Sequence, residues 1–292
     1  MVVECVLMTA GRESSTTYEA ADGSGLPMLL FEPAEGVQPV AGIVMFHGGA
    51  LRRGSADGLV PHCRRLAARG IFAASAGYRL IGQAATNIDD CIADARRAIE
   101  HFSGLSALRG LDSSRLASGG SSAGGHLALV AAMIAPDSPL PAPEPDVAAV
   151  VALNPVVDLL AYSPERRRIL EQDAGIAAGR AIEYSPIEWV RPGNPPMLIQ
   201  HGTHDDVAPI RQVRRFRDAM AQAGNDCLLL EYEHAGHAFH YPGRTGHFDD
   251  VIDATAAFLL DRLTPAPAAR RTGVERQARR ATPPGRQSPG PS

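Results

Sequence analysis

Three residue types that together can carry out acyl transfer occur in a fixed order along this chain. A serine sits in "GSSAG" (120–124), two aspartates in "HGTHDDVAP" (201–209) and three histidines in "EHAGHAFHYP" (233–242). A serine hydroxyl is a weak nucleophile at neutral pH. It needs an imidazole to take its proton and a carboxylate to orient that imidazole. The pentad G-x-S-x-G centres on Ser122, because Ser121 would need a glycine at 123, where Ala123 stands. Such a pentad marks a sharp strand-to-helix turn that lifts the hydroxyl above a sheet, with glycines where strand and helix cross too closely for side chains. A glycine-serine turn alone is weak evidence. Here an apolar strand, "RLASGG" (115–120), precedes it and a helical run, "AGGHLALVAAMIA", follows it.

The acid and the base are chosen separately. Asp205 is the first choice for the acid by its place in G-T-H-D-x-V, with Asp206 as its alternative. Asp158 in "NPVVDLL" is a third, since an acid can serve from an earlier strand if it reaches the imidazole,. His237 lies between Gly236 and Ala238, small neighbours that let a loop carry its ring towards Ser122, whereas His234 and His240 read as surface or packing residues. Acyl transfer also needs donors for the developing oxyanion. "VMFHGGAL" (44–51) offers them. The amides of Gly49 and Ala50, with that of Ala123 beside the nucleophile, form a candidate three-donor pocket, the plain alternative being an ordinary glycine turn,.

The elements around these residues alternate short apolar runs with helical patterns from 17 to 263, the signature of βαβ units on a mostly parallel sheet,. Strands are expected at 26–33, 41–47, 71–77, 115–120, 147–154, 196–202 and 227–233, and helices at 58–69, 88–103, 122–135, 209–223 and 247–262. The candidate site residues follow strand ends, where parallel sheets build their sites. Residues 155–195 are longer than one crossover needs and read either as a small cap over a pocket or as a surface excursion. Residues 1–16 read as an N-terminal extension. The tail 264–292, rich in Pro, Arg and Gly, cannot bury enough apolar surface to order itself and is expected to be disordered.

Composition narrows the function. The formal charge is −4, and removing the six Arg and one Glu of the tail leaves the body at −9, which argues against nucleic acid as a partner,. Every basic residue is Arg. The chain therefore has no lysine for a phosphate loop, a Schiff base or a Ser-Lys pair,. Cys5, Cys63, Cys91 and Cys227 are scattered without metal or disulfide spacing, and no run is long and apolar enough for a membrane span or a signal peptide, so a cytoplasmic protein with reduced thiols is expected,.

Taken together, "HGGA", "SAGYRL", "GGSSAGGH", "HGTHDDVAP" and "EHAGHAF" resemble the carboxylesterases of the α/β-hydrolase fold, in particular the hormone-sensitive-lipase-like and feruloyl or acetyl esterase-like branch. The resemblance covers about 17–263. It implies an α/β-hydrolase fold with helices on both sheet faces and a small-molecule ester as substrate, with no cofactor. It further implies Ser122 as nucleophile, His237 as base, Asp205 as acid and an oxyanion hole from the amides of Gly49, Ala50 and Ala123, with His47 holding that loop. Ala50 and Leu51 depart from the glycine or aromatic residue that often follows H-G-G. Kynurenine formamidases share H-G-G-x-W, but Leu51 stands in place of the Trp.

Other readings are an amidase on the same triad, a hydrolase-fold protein that binds without catalysis, and a metal hydrolase. The last would use His201, His204, Asp205, His234, His237 and His240, but it explains neither the glycine-flanked serine nor Gly48 and Gly49,. Oligomeric state is left open by the sequence.

Overall fold

The computed structural model describes residues 11–133 and 147–264; the first ten residues of the expected extension and the tail from 265 onward lie outside the described residues. Eight strands form one sheet: β1 (Glu13–Glu19), β2 (Gly25–Phe31), β3 (Ala41–Phe46), β4 (Ile71–Ala76), β5 (Leu116–Ser121), β6 (Ala149–Leu153), β7 (Met197–Gly202) and β8 (Cys227–Tyr232). Their order is β1-β2-β4-β3-β5-β6-β7-β8. The β1–β2 and β2–β4 pairings are antiparallel, and every pairing from β4 to β8 is parallel.

The five central strands β3 to β7 are buried at every position, as strands of a sheet covered on both faces must be, and several of them are largely apolar,. Helices α2 (Ile88–Ala107), α3 (Ala123–Met133) and α5 (Ile210–Gln222) pack on one face. On the other lie α1 (Val60–Ala67) and α6 (Phe248–Leu263). In α2 the pattern Ile88, Cys91, Ile92, Ala95, Ile99, Phe102 turns one side to the sheet, and the Asn87 side chain caps the helix by accepting from the amides of Asp89 and Asp90,. The described cysteines, Cys63, Cys91 and Cys227, are free thiols.

One strand is absent from the sequence expectations. β1 has the polar sequence ESSTTYE and straddles the expected boundary at 17. It is an edge strand with one buried anchor, Tyr18, whose hydroxyl donates to the Gly77 carbonyl at 2.6 Å. An edge strand needs few apolar residues, so apolar runs do not reveal it. Within 155–195 the chain forms α4 (Pro164–Asp173) and two short 3-10 turns at Ala181–Tyr184 and Pro186–Trp189.

Register sets where the site can lie. Phe46 pairs with Gly120, Ser121 with Leu153, Leu153 with Gln200, and Gly202 with Tyr232. The carboxyl ends of β3, β5, β6, β7 and β8 therefore finish close together along one rim of the sheet.

Candidate active site

At that rim β5 ends at Ser121 and α3 begins at Ala123, so Ser122 alone makes the turn. Its φ of 53° is in the left-handed region, which costs energy for a residue with a Cβ,. Two backbone bonds hold it there: Ser122 N–H donates to the Leu153 carbonyl at 2.8 Å, and the Ser122 carbonyl accepts from His126 N–H at 2.9 Å. The neighbouring glycines are required by contact. A Cβ on Gly124 would lie 2.0 Å from the Phe46 carbonyl oxygen, and one on Gly120 would lie 2.5 Å from the Gly124 backbone.

The turn after β3 runs against this elbow, since a Cβ on Gly48 would stand 3.3 Å from that of Ser122. Gly49, Ala50 and Leu51 all have positive φ, at 126°, 55° and 62°. The Gly49 carbonyl accepts from the amides of Arg52 and Arg53, both at 3.1 Å. In a trans peptide the next N–H points the opposite way, so the Ala50 amide faces out of the turn. The Ala123 N–H belongs to the first turn of α3 and has no acceptor within the helix,. His47 braces the turn: its Nδ1 donates to the Gly48 carbonyl at 2.8 Å, and its ring stacks 4.3 Å from that of Tyr78. The Tyr78 hydroxyl donates to the His47 carbonyl at 2.9 Å. Arg79, next in "SAGYRL", is buried and fixed through Nε and Nη2 to Asp94 of α2 at 2.8 Å each.

The structure brings Ser122, His237 and Asp205 into one line. His237 Nε2 is 2.9 Å from Ser122 Oγ, and His237 Nδ1 is 2.8 Å from Asp205 Oδ2. Asp205 Oδ1 accepts from the amides of Val207 at 2.9 Å and Ala208 at 2.8 Å, while Oδ2 also lies 3.3 Å from His201 Nε2. Burial alone would raise this carboxyl. The bonds from His201, His237 and the Ala208 amide outweigh it and hold Asp205 well below the usual carboxylate range,. The aspartate and histidine loops are pinned to each other by Thr203 N–H to the Tyr232 carbonyl (3.0 Å) and His204 N–H to the Ala235 carbonyl (2.9 Å). Gly202 permits that approach, because a Cβ there would meet the Ala235 oxygen at 2.2 Å.

The alternatives lie elsewhere. Asp206 is exposed. Asp158 accepts from the amides of Leu160 and Ala161 at 3.0 Å and pairs with Arg215 at 3.1 Å. His234 is exposed, and His240 is fully buried against Ser121. Among the described residues no group of three or more His, Cys, Asp or Glu side chains is arranged to hold a metal ion. Two contributors escaped the sequence reading. Asn154 has φ 40° at the end of β6, and its Nδ2 lies 3.5 and 3.4 Å from the two ring nitrogens of His237, over the ring rather than along either lone pair. A polar residue ending the apolar run "VAAVVAL" was the available signal. His201, whose Nε2 lies against Asp205, enters the sequence reading only as a metal ligand.

A cavity of about 320 Å³ is bounded by Ala50, Ser122 and Ala123 on one side and by Leu159, Leu170 and Ile176 of the 155–195 segment on another. That segment is fastened to the body. Ile88 N–H donates to the Ala174 carbonyl, Arg52 Nη1 to the Asp173 carbonyl and the Tyr162 hydroxyl to the Val207 carbonyl, each at 2.9 Å. No helix among the described residues is long and apolar enough to cross a membrane.

Comparison with known proteins places this geometry. The BD-FAE family model matches residues 28–220. Esterase LipC of Mycobacterium tuberculosis is 31% identical over 255 residues, 80% of this chain and 58% of LipC. An ethyl acetate hydrolase of Pseudomonas putida is 31% identical over 182 residues, 60% of this chain and 52% of that protein. The chain thus spans about half the length of the curated relatives it matches. Among solved structures, the propionate-bound esterase Est2 of Thermogutta terrifontis has a TM-score of 0.74 at 29% identity, covering 92% of this chain and 100% of Est2. The same esterase phosphonylated by sarin gives a TM-score of 0.76 at 29% identity, with coverage of 91% and 100%. The sheet with helices on both faces is an α/β-hydrolase fold, and the chain belongs to the BD-FAE family within the esterase branch of that fold.

Proposed function

We propose that this chain is a carboxylic ester hydrolase working through an acyl-enzyme, with Ser122 as nucleophile, His237 as general base and Asp205 as the acid that orients His237. One observation carries the reading: an unbroken hydrogen-bonded line from the buried Asp205 through His237 to Ser122, ending beside the cavity. His237 Nε2 takes the Ser122 proton as Oγ attacks the ester carbonyl. The oxyanion is held by the amides of Gly49, Ala50 and Ala123, and the His237 imidazolium returns its proton to the departing alcohol. A water deprotonated by His237 then attacks the acyl-enzyme and releases the acid.

The substrate is a small ester. At about 320 Å³ the cavity is near the lower end of the usual range for ligand sites,. Relatives point the same way: one is named an ethyl acetate hydrolase, and Est2 is described with propionate and with butyrate bound. The expected partner is this ester alone, without a cofactor. A non-catalytic binder would have no use for a carboxylate, imidazole and hydroxyl in this alignment.

The test is Ser122→Ala with p-nitrophenyl acetate. The variant should keep the parent's circular dichroism and lose turnover by at least about 10³-fold. It should also lose covalent labelling by a fluorophosphonate. Retained turnover or labelling would assign the nucleophile to another residue.

A further inference from the structure

A second chain of hydrogen bonds, which the proposed reaction does not use, lies directly behind the elbow. Ser121 Oγ is 2.8 Å from His240 Nε2, and His240 Nδ1 is 2.9 Å from His62 Nε2, which also lies 3.1 Å from the His240 carbonyl oxygen. All three residues are sealed from solvent: Ser121 is 1% exposed, and His62 and His240 are 0% exposed. None can touch a substrate.

Their protons are determined by the partners. A carbonyl only accepts, so His62 Nε2 carries hydrogen and faces His240 Nδ1 as a donor,. His240 Nδ1 is then a bare lone pair. The one proton of its neutral ring sits on Nε2 and is donated to Ser121 Oγ. Burial keeps both imidazoles uncharged, pushing His62 down to about 4 and His240 well below its ordinary value, the latter aided by the neighbouring His62 and His237. The rings of Tyr241 and Phe248 meet His62 edge-on at 5.4 and 5.1 Å, closing an aromatic wall around it.

The positions of these residues give the chain its meaning. Ser121 immediately precedes Ser122, and His240 follows His237 by three residues. Two parallel links therefore join the elbow to the histidine loop: Ser122 to His237 at 2.9 Å and, beneath it, Ser121 to His240 at 2.8 Å. His62 on α1 anchors the lower link to the body. Both joined segments hold backbone that resists its own geometry, with φ of 53° at Ser122, 58° at His234 and 61° at Ala238. Strained segments persist only where their surroundings over-determine them.

We propose that His240, anchored by His62, is a positioning residue that clamps Ser121 to the histidine loop and so sets the distance between the Ser122 hydroxyl and the His237 ring. This rests on the reading of Ser122 and His237 given above. A displacement of about 1 Å at a reacting pair can cost 10²-fold in rate. The clamp is made before substrate arrives, so its loss falls on kcat and leaves KM nearly unchanged.

The experiment measures kcat, KM and melting temperature for His240→Leu, His240→Gln, Ser121→Ala and the double variant His240→Leu with Ser121→Ala, on p-nitrophenyl acetate. His240→Leu and Ser121→Ala should each lower kcat by about 10- to 100-fold with KM within about twofold of the parent. The Gln amide N–H stands near the position of Nε2 and should return kcat to within about threefold. The double variant should be no slower than the worse single one, because both break the same link. Ser121→Ala removes only a hydroxyl, so it decides the matter if His240→Leu does not fold. A parental kcat in Ser121→Ala, no rescue by Gln, or multiplied losses in the double variant would overturn the clamp. Ser122→Ala in the same assay separates the two failures. Turnover surviving that variant sinks the reading of the site, whereas its loss beside an unaltered kcat in Ser121→Ala sinks the clamp alone.

Discussion

Asp205 shows how one buried carboxylate serves two ends. Four donors converge on its two oxygens, from His201, His237 and the amides of Val207 and Ala208, so a group that burial would neutralise stays ionised. Asp205→Asn removes the charge and turns an N–H towards one of these donors. Turnover should fall by about 10³- to 10⁴-fold, by the loss of the imidazole's correct tautomer. Asp158→Asn, on a carboxylate engaged by Leu160, Ala161 and Arg215, should stay within about threefold of the parent. The reverse ranking would reassign the acid. Stability should follow pH with a defined sign. The folded carboxyl of Asp205 titrates below its unfolded value of about 3.9, so its stabilisation is full above that pH and is lost as pH falls through the folded value,. Urea midpoints of the parent and Asp205→Asn should therefore differ at pH 7, and the gap should narrow progressively as pH falls below about 4,. A gap that does not change with pH would contradict this.

At the scale of elements, the glycines separate into those that the packing needs and those that it does not. Gly124→Ala drives a Cβ against the Phe46 and His47 carbonyls where α3 crosses β3, and should destabilise by about 1–3 kcal/mol and reduce turnover together,. Gly104 lies inside α2, exposed and with open space around it. Gly104→Ala should stabilise by about 0.5–1 kcal/mol without altering activity, as thermal melts would register. Much of the sheet and its helices was readable because strands such as β3 and β6 are short runs without a polar side chain and α2 repeats its apolar residues at helical spacing. β1 was not, because its polar sequence is stabilised by pairing with β2, by the buried Tyr18 and by the ion pair of Glu13 with Arg64 of α1. The link from Ser121 to His240 and His62 was hidden for a related reason. Its members lie 119 and 178 residues apart, and no local spacing announces that three elements will meet.

Across the whole molecule, the order Ser, Asp, His could be read from the sequence because each residue follows a strand and parallel strands end on one rim. What could not be read was distance: the register that levels the ends of β5, β7 and β8, and the course of 155–195 over the cavity, arise from packing between remote parts of the chain. Ser122 and His237 are separated by 115 residues, and between them the chain must lay down α3, β6, the whole 155–195 segment, β7, α5 and β8. Contacts of such long range form late and slowly when a chain refolds. Turnover then becomes a clock for the final stage of assembly. After dilution from urea, helical ellipticity should recover first and ester cleavage should lag behind it. A nascent chain halted before β7 would carry the proposed nucleophile unarmed, a safeguard against premature chemistry that comes from topology alone.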